Sequence, residues 1–306
     1  MRSRGARRAR QDHGMPDATP LPESLRRRAF AVADARSLGV PLSRLRARDL
    51  HTPFRGVRTP QVPATYVGRC RAYAAGCSDG IVFCGPTAAR LLGIPLPARF
   101  ERAEELHVLQ RWTDRAPRGP GIVGHKTRHE IDLVTVAGLR CTAPVPTWFA
   151  LGALLAHDDL VIAGDAMVGG KQPLIGVADL RTAVQSHTRA RGAARIREAF
   201  DEVRAGAWSP RETQVRLALV RAGLPEPELN APIDVAGRRY HGDLVYRRQR
   251  LVLEYEGRQH YTDARQWSHD LERYNAFAEE SWTVLRIAHE LPLPTLVARV
   301  RRILAR

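Results

Sequence analysis

The chain has 306 residues, of which 44% are apolar and 26% charged. That balance is ordinary for a globular protein of about two domains, and it excludes a wholly disordered chain, a collagen and a small disulfide-stapled scaffold. The 48 basic residues outnumber the 32 acidic ones for a net charge of +16, and lysine stands only at Lys126 and Lys171, leaving 46 arginines. Such a surplus points either to a polyanionic partner, most often nucleic acid, or to a GC-rich genome that writes Arg wherever Lys would serve.

Met1–Arg10 carries five Arg and no acid. It lacks the apolar core of a signal peptide, and no later run approaches the roughly 20 apolar residues that cross a bilayer. The expected location is therefore cytoplasmic, with no membrane partner. Residues 1–20 read as a basic disordered tail. It is either an arm touching nucleic acid or the product of an early start, since Met15 offers a second one.

Residues 21–63 come next. Glu23–Leu38 is predicted as a helix on the spacing of Leu25, Ala29, Phe30 and Ala33, ended by Gly39. Pro41 opens a second short helix through Leu42, Leu45 and Leu50, whose polar face carries Arg44, Arg46 and Arg48. Pro53–Arg58 follows as a short strand. This is the spacing of a helix-turn-helix with a wing, and Met1–Leu50 holds 12 Arg against 5 acids. Arg44, Arg46 and Arg48 are the candidate DNA contacts; the other reading is a two-helix packing element with a solvated arginine face.

Residues 64–205 read as mixed α/β. Helices are predicted over Ala64–Cys77, Pro86–Leu92, Pro146–Leu155 and Leu160–Val168, and strands over Gly80–Cys84, Glu105–Gln110 and Gly121–Lys126. Cys70, Cys77, Cys84 and Cys141 form no C-x-x-C pair and are expected as small buried residues. His107, His125, His157 and His187 show no ligand spacing.

Residues 206–306 are the informative part. Ser209-Pro210 caps a helix over Arg211–Ala222, and Gly223, Pro225 and Pro227 stop it. Strands follow at Ala231–Val235, Tyr240–Tyr246 and Leu251–Glu256, then a helix from Ala264 to Glu280, a strand over Trp282–Ile287 and a closing helix over Leu293–Leu304. The order is α-β-β-β-α-β-α, and charge is nearly balanced here, with 17 Arg against 15 acids from Asp201 on.

Within the strand Leu251–Glu256, alternation puts Glu254 and Glu256 on one face. Two carboxylates on an interior strand repel each other and are costly to desolvate, and a divalent cation relieves both penalties. Asp243, eleven residues earlier, pairs beside Glu254 if the strands form a hairpin, and Glu212 on the preceding helix completes the cluster. Such hard oxygen ligands suit Mg²⁺ or Mn²⁺ shared with a substrate phosphate. The competing reading is an edge strand whose acids pair with Arg247, Arg250 or Arg258.

The run Ser209-Pro210-Arg211-Glu212-Thr213, then Gly223-Leu224-Pro225 with Pro227 and Asn230, Asp243, Glu254-Tyr255-Glu256-Gly257-Arg258-Gln259-His260, Asp270, Arg273 and Trp282-Thr283-Val284-Leu285-Arg286 resembles the Vsr-like branch of PD-(D/E)XK endonucleases, in particular the domain-of-unknown-function family numbered 559. The resemblance implies a restriction-endonuclease-like core and a Mg²⁺-dependent endonuclease. In it Asp243 and Glu254 hold the metal and Glu212 supports the site. Where the superfamily has Lys the chain has Glu256, and no Lys occurs in the domain, so that role falls to His260 or to a metal-bound water; Glu256 and His260 are the second candidates. His260 also reads as a turn residue. Asp270 and Arg273, one helical turn apart, either contact phosphate or pair with each other, and Arg258 and Arg273 join the candidate DNA contacts.

More weakly, Phe54-Arg55-Gly56-Val57 within Leu45–Arg58, Gly85-Pro86-Thr87-Ala88-Ala89 with Leu92-Gly93, and Leu139–Val168 resemble AbiEi-type proteins of abortive-infection and toxin–antitoxin systems. That likeness implies a DNA-binding winged helix and allows a partner protein. Two functions remain in view: a metal-dependent DNA endonuclease, and a non-catalytic DNA-binding regulator on a degenerate nuclease fold.

Overall fold

The computed structural model describes residues 19–77, 80–114, 116–187, 192–256, 264–288 and 291–306. The side chains of residues 256 and 264–271 are outside that description. The chain divides into two compact units, Met1–Ile81 and Val82–Arg306, so the expected boundaries at 63/64 and 205/206 do not coincide with the division. All but two residues of the expected disordered tail lie outside the described residues.

In the first unit, Glu23–Leu38 is not one helix. A 3₁₀ turn (Glu23–Leu25) leads to β1 (Phe30–Ala31), and only then to α1 (Val32–Ser37), α2 (Leu42–Leu45), β2 (Val57–Arg58) and α3 (Tyr66–Ala74). The cause is strand pairing. Phe30 and Ala31 lie antiparallel to Arg58 and Val57, and the Val32 N–H donates to the Gly56 carbonyl at 2.7 Å. Leu25, Phe30, Ala35, Val40, Leu45 and Leu50 are buried together; the helical spacing reported a shared core, not a continuous helix. Gly39, at φ +80°, does end α1 as expected.

The second unit opens with a mixed sheet. Its strands are β3 (Val82–Phe83), β4 (Leu106–Arg111), β5 (Ile122–Thr127), β6 (Leu133–Val136) and β7 (Leu139–Thr142), in the order β5-β4-β3-β7-β6. Around it lie α4 (Gly85–Leu92), α5 (Ala98–Glu101), α6 (Pro144–Leu151), α7 (His157–Val168), α8 (Val177–Ser186) and α9 (Ala193–Asp201). Their core centres on Trp148, wholly buried, with its indole N–H on the Leu160 carbonyl at 2.9 Å. Cys70, Cys84 and Cys141 are buried, as expected, and Cys77 is half-buried.

Then come α10 (Pro210–Arg221), β8 (Glu228–Val235), β9 (Arg238–Tyr246), β10 (Leu251–Glu256), α11 (Ala264–Glu279), β11 (Thr283–Ala288) and α12 (Leu293–Leu304), in the α-β-β-β-α-β-α order read from the sequence. The sheet runs β11-β10-β9-β8, with β10 parallel to β11 and the other pairs antiparallel. Strand β10 is thus interior, and its side chains alternate as a doubly covered strand requires. Leu251 and Leu253 join the core with Val215, Leu219 and Leu296, whereas Val252 packs with Phe277 of α11. Helix α10 serves two cores at once: Leu217 belongs to the Trp148 core and Val215 and Leu219 to that of the second sheet. Among the described residues no helix is long and apolar enough to cross a membrane.

Candidate functional site

Of the acids that the sequence singles out, Asp243 and Glu254 lie on the β9–β10 hairpin and Glu212 in the first turn of α10. The antiparallel ladder pairs Leu251 with Tyr246 and Leu253 with Leu244, next to Glu254 and Asp243 in the two strands. The Asp243 carboxylate accepts the Tyr255 backbone N–H at 2.8 Å. Glu254 is buried and accepts from the Arg273 guanidinium and from the Tyr274 hydroxyl at 3.4 Å. On the other flank β11 sets Arg286 beside Glu254, with its guanidinium over the Tyr274 ring.

Glu212 reaches the site through the helix start. Ser209 is the N-cap and its hydroxyl accepts the Glu212 N–H at 3.2 Å, while Pro210 takes the first helical position, where a missing N–H costs nothing. The Glu212 carboxylate accepts from the Trp208 N–H at 2.8 Å and from the Asn230 amide at 2.7 Å. Its side chain is buried, and burial pushes its pKa upward; the Asp243 carboxylate pushes it further the same way, against the bonds from Trp208, Ser209 and Asn230.

The edge-strand reading fails because β10 is central, and two of the three arginines near it in sequence, Arg247 and Arg250, are engaged elsewhere. Arg247 pairs with Glu228 and Arg250 bonds the Glu280 carbonyl. The counter-ion of Glu254 is Arg273, carried on α11 and therefore distant in sequence. Arg273, expected as a DNA contact, is mostly buried, donates also to the His241 carbonyl at 2.9 Å and lies near the rings of Tyr240 and Phe277; its Nε finds no partner. Arg258 and His260 lie outside the described residues, as do the side chains of Glu256 and Asp270. Among the described residues no three His, Cys, Asp or Glu side chains are grouped closely enough to hold a metal ion.

In the first unit Arg44 is not a DNA contact. It is buried, donates to both oxygens of Asp49 at 2.9 and 2.7 Å and to the Thr19 carbonyl, and holds the Asp49 carboxyl below its ordinary range. Periodicity put it on the polar face, but α2 is a single turn and a near neighbour in sequence turns Arg44 inward. Arg46 and Arg48 are exposed.

Several groups were not legible beforehand. Asp165, buried in α7, accepts from the Thr213 hydroxyl at 2.8 Å, from Arg216 at 2.9 Å and from the Arg204 N–H at 2.7 Å; a lone acid in the apolar run Leu160–Val168 was the available signal. His107 and His125 stack, with Nδ1 and Nε2 2.9 Å apart, and burial lowers the pKa of both, that of His107 to about 4. Their neighbouring strands, paired with a stagger, gave no spacing signal.

The chain is 27% identical over 233 residues to the "Uncharacterized protein Rv2248" and "Uncharacterized protein MT2308" of two strains of Mycobacterium tuberculosis, covering 76% of this chain and 83% of each relative. No protein-family model matches the chain. No solved structure matches it either.

Proposed function

We propose that this chain is a metal-dependent DNA endonuclease whose C-terminal α-β-β-β-α-β-α part is a restriction-endonuclease-like domain of the Vsr-like PD-(D/E)XK kind. The observation that carries the reading is the placement of Asp243, whose carboxylate accepts the Tyr255 N–H, on the strand paired with that of buried Glu254, with the buried carboxylate of Glu212 at the start of α10. The three carboxylates come from α10, β9 and β10, and the Asp243 charge raises the proton affinity of Glu212. That is the electrostatic condition a hard divalent cation relieves.

The donor chemistry fits Mg²⁺ or Mn²⁺, with Asp243 and Glu254 as ligands and Glu212 as support. When bound, the ion would polarise the scissile phosphate and lower the pKa of a water. The chain's own residues orient the donors: the Tyr255 N–H holds Asp243, and Ser209, Trp208 and Asn230 hold Glu212. Glu256 and His260 remain the candidates for moving a proton. Exposed Arg46 and Arg48 of a winged-helix-like N-terminal segment would hold the duplex in a cytoplasmic setting of repair, phage defence or toxin–antitoxin control.

A second reading, a DNA-binding regulator with a degenerate nuclease site, is favoured by Arg273, which already gives Glu254 a positive partner. Plasmid incubated with Mg²⁺ or Mn²⁺ separates the two. Wild type is expected to cut, and Asp243→Ala and Glu254→Ala to cut at least about a hundredfold more slowly. No metal-dependent cutting by wild type favours the regulator, and equal cutting by all three proteins overturns the assignment of the site.

A further inference from the structure

The domain that would cleave DNA contains no lysine, yet the fold brings one to its edge. Lys171 lies just beyond α7, and its Nζ sits 5.8 Å from the centre of the Trp208 ring. The backbone fixes this approach. At Gly169 a Cβ would fall 2.3 Å from the Ala207 carbonyl oxygen and 3.2 Å from that of Ala205, so the two segments touch as only glycine allows. The chain beyond folds back on α7, the N–H groups of Leu174 and Ile175 donating to the Met167 carbonyl.

Trp208 is 48% exposed, and its own N–H holds the Glu212 carboxylate. A solitary exposed Trp would be ordinary. This one stands one hydrogen bond from the acid cluster and carries an ammonium at its rim. Trp112, the other strongly exposed Trp, differs: Arg128 lies 4.1 Å from its ring centre and Lys126 5.2 Å. A planar guanidinium stacks on an aromatic face and covers it, whereas a compact ammonium at 5.8 Å leaves room beside it.

We propose that Trp208 and Lys171 form the step on which a DNA strand rests as it enters the Glu212–Asp243–Glu254 corner, Trp208 stacking an unstacked base and Lys171 contacting the adjacent phosphate. The proposal rests on the nuclease reading for its place in the reaction, but binding itself is tested without cutting. An exposed ring beside a cation is the pairing that single strands use, since every base has a π-face and every linkage a charge. The region outside the nuclease-like part thus supplies substrate contact to it.

The test uses the full chain and a fluorescein-labelled 20-nucleotide DNA strand of mixed sequence, in buffer with EDTA, followed by anisotropy. Trp208→Ala is expected to weaken binding on the order of tenfold, and Trp208→Phe to restore most of it. Lys171→Gln, at an exposed position that leaves the fold intact, is expected to make the slope of log K against log salt shallower by about 0.7. Wild-type affinity in Trp208→Ala, a Phe variant as weak as the Ala variant, or an unchanged slope in Lys171→Gln would each overturn the step. Asp243→Ala is expected to lose metal-dependent cutting. If Asp243→Ala cuts normally, the nuclease reading fails and the Trp208 binding result still stands or falls by itself.

Discussion

Two buried acidic centres on the shared helix α10, one at Thr213 and Arg216 and one at Glu212, show what the same residue types do under different compensation. Asp165 is met by Arg216, the Thr213 hydroxyl and the Arg204 N–H, and Arg216 itself continues to Glu226 and the Glu202 carbonyl. Burial pushes the Asp165 carboxyl upward, and each of those partners pulls it back. In the neighbouring centre Glu212 is pushed upward by burial and again by Asp243, with only neutral donors against it. The first centre carries its own counter-charge and fastens α7 to α10. The second sets a buried carboxylate, held by neutral donors, under the influence of a second carboxylate, which is costly in a fold and useful for binding a cation.

The largest effect should come from breaking the first centre. Removing one partner of a buried ion pair leaves an uncompensated charge, so Asp165→Ala or Arg216→Met should cost about 3–5 kcal/mol in urea unfolding. The double variant Asp165→Leu with Arg216→Met should recover much of that. A loss below about 1 kcal/mol for either single change would erase the distinction between the two centres.

Arg44 sharpens the comparison at a half-exposed pair. Its bidentate bond to Asp49 joins a buried guanidinium to a carboxylate open to solvent, so Arg44→Ala should cost about 1–2 kcal/mol. Arg46→Ala with Arg48→Ala should leave thermal unfolding unchanged and make the salt slope of duplex binding shallower by about 0.9 per lost contact. Destabilisation by the Arg46 and Arg48 changes would place those side chains in the fold instead.

Glu212→Gln tests the second centre from the side of stability. Because folding raises this carboxyl's pKa, its ionisation costs the folded state: stability is complete below the ordinary glutamate range and falls as pH rises through the raised value. Gln removes that loss, so the variant should unfold at equal or higher temperature once the pH exceeds the raised value, while cutting more slowly. A less stable Gln variant would mean that the carboxylate's bonds to Trp208 and Asn230 outweigh its burial.

The smallest effect belongs to the two histidines, bases where the other centres are acids. His107 titrates near 4 in the fold, depressed by burial and by His125. Stability should therefore be full above about pH 6.5, fall as pH drops towards 4 and level off below. The size should be of order 1 kcal/mol after discounting for partial exposure, and His107→Gln should flatten that limb in thermal melts. A limb that persists in the variant would assign the loss to other groups.

Much of the C-terminal layout was legible because its strands and helices are long enough for period 2 and period 3.6 to stand apart; Leu251–Glu256 was read to the residue. The first unit was not, because Phe30–Ala31 is a two-residue strand whose partner lies at Val57–Arg58, and a local window sees only the apolar spacing. The acids of the site were legible as a pattern: alternation and hairpin register put Asp243 near Glu254. Their compensation was not. Arg273 reaches Glu254 from α11, and Glu212 is held by Asn230 from β8, both tertiary contacts with no local trace.

The central claim is that Glu212, Asp243 and Glu254 form one cation-binding corner. Isothermal titration of Mn²⁺ into the full chain tests it most directly. The account expects one uptake step in wild type that disappears in Asp243→Asn with Glu254→Gln; no uptake by wild type, or equal uptake by both proteins, would contradict it.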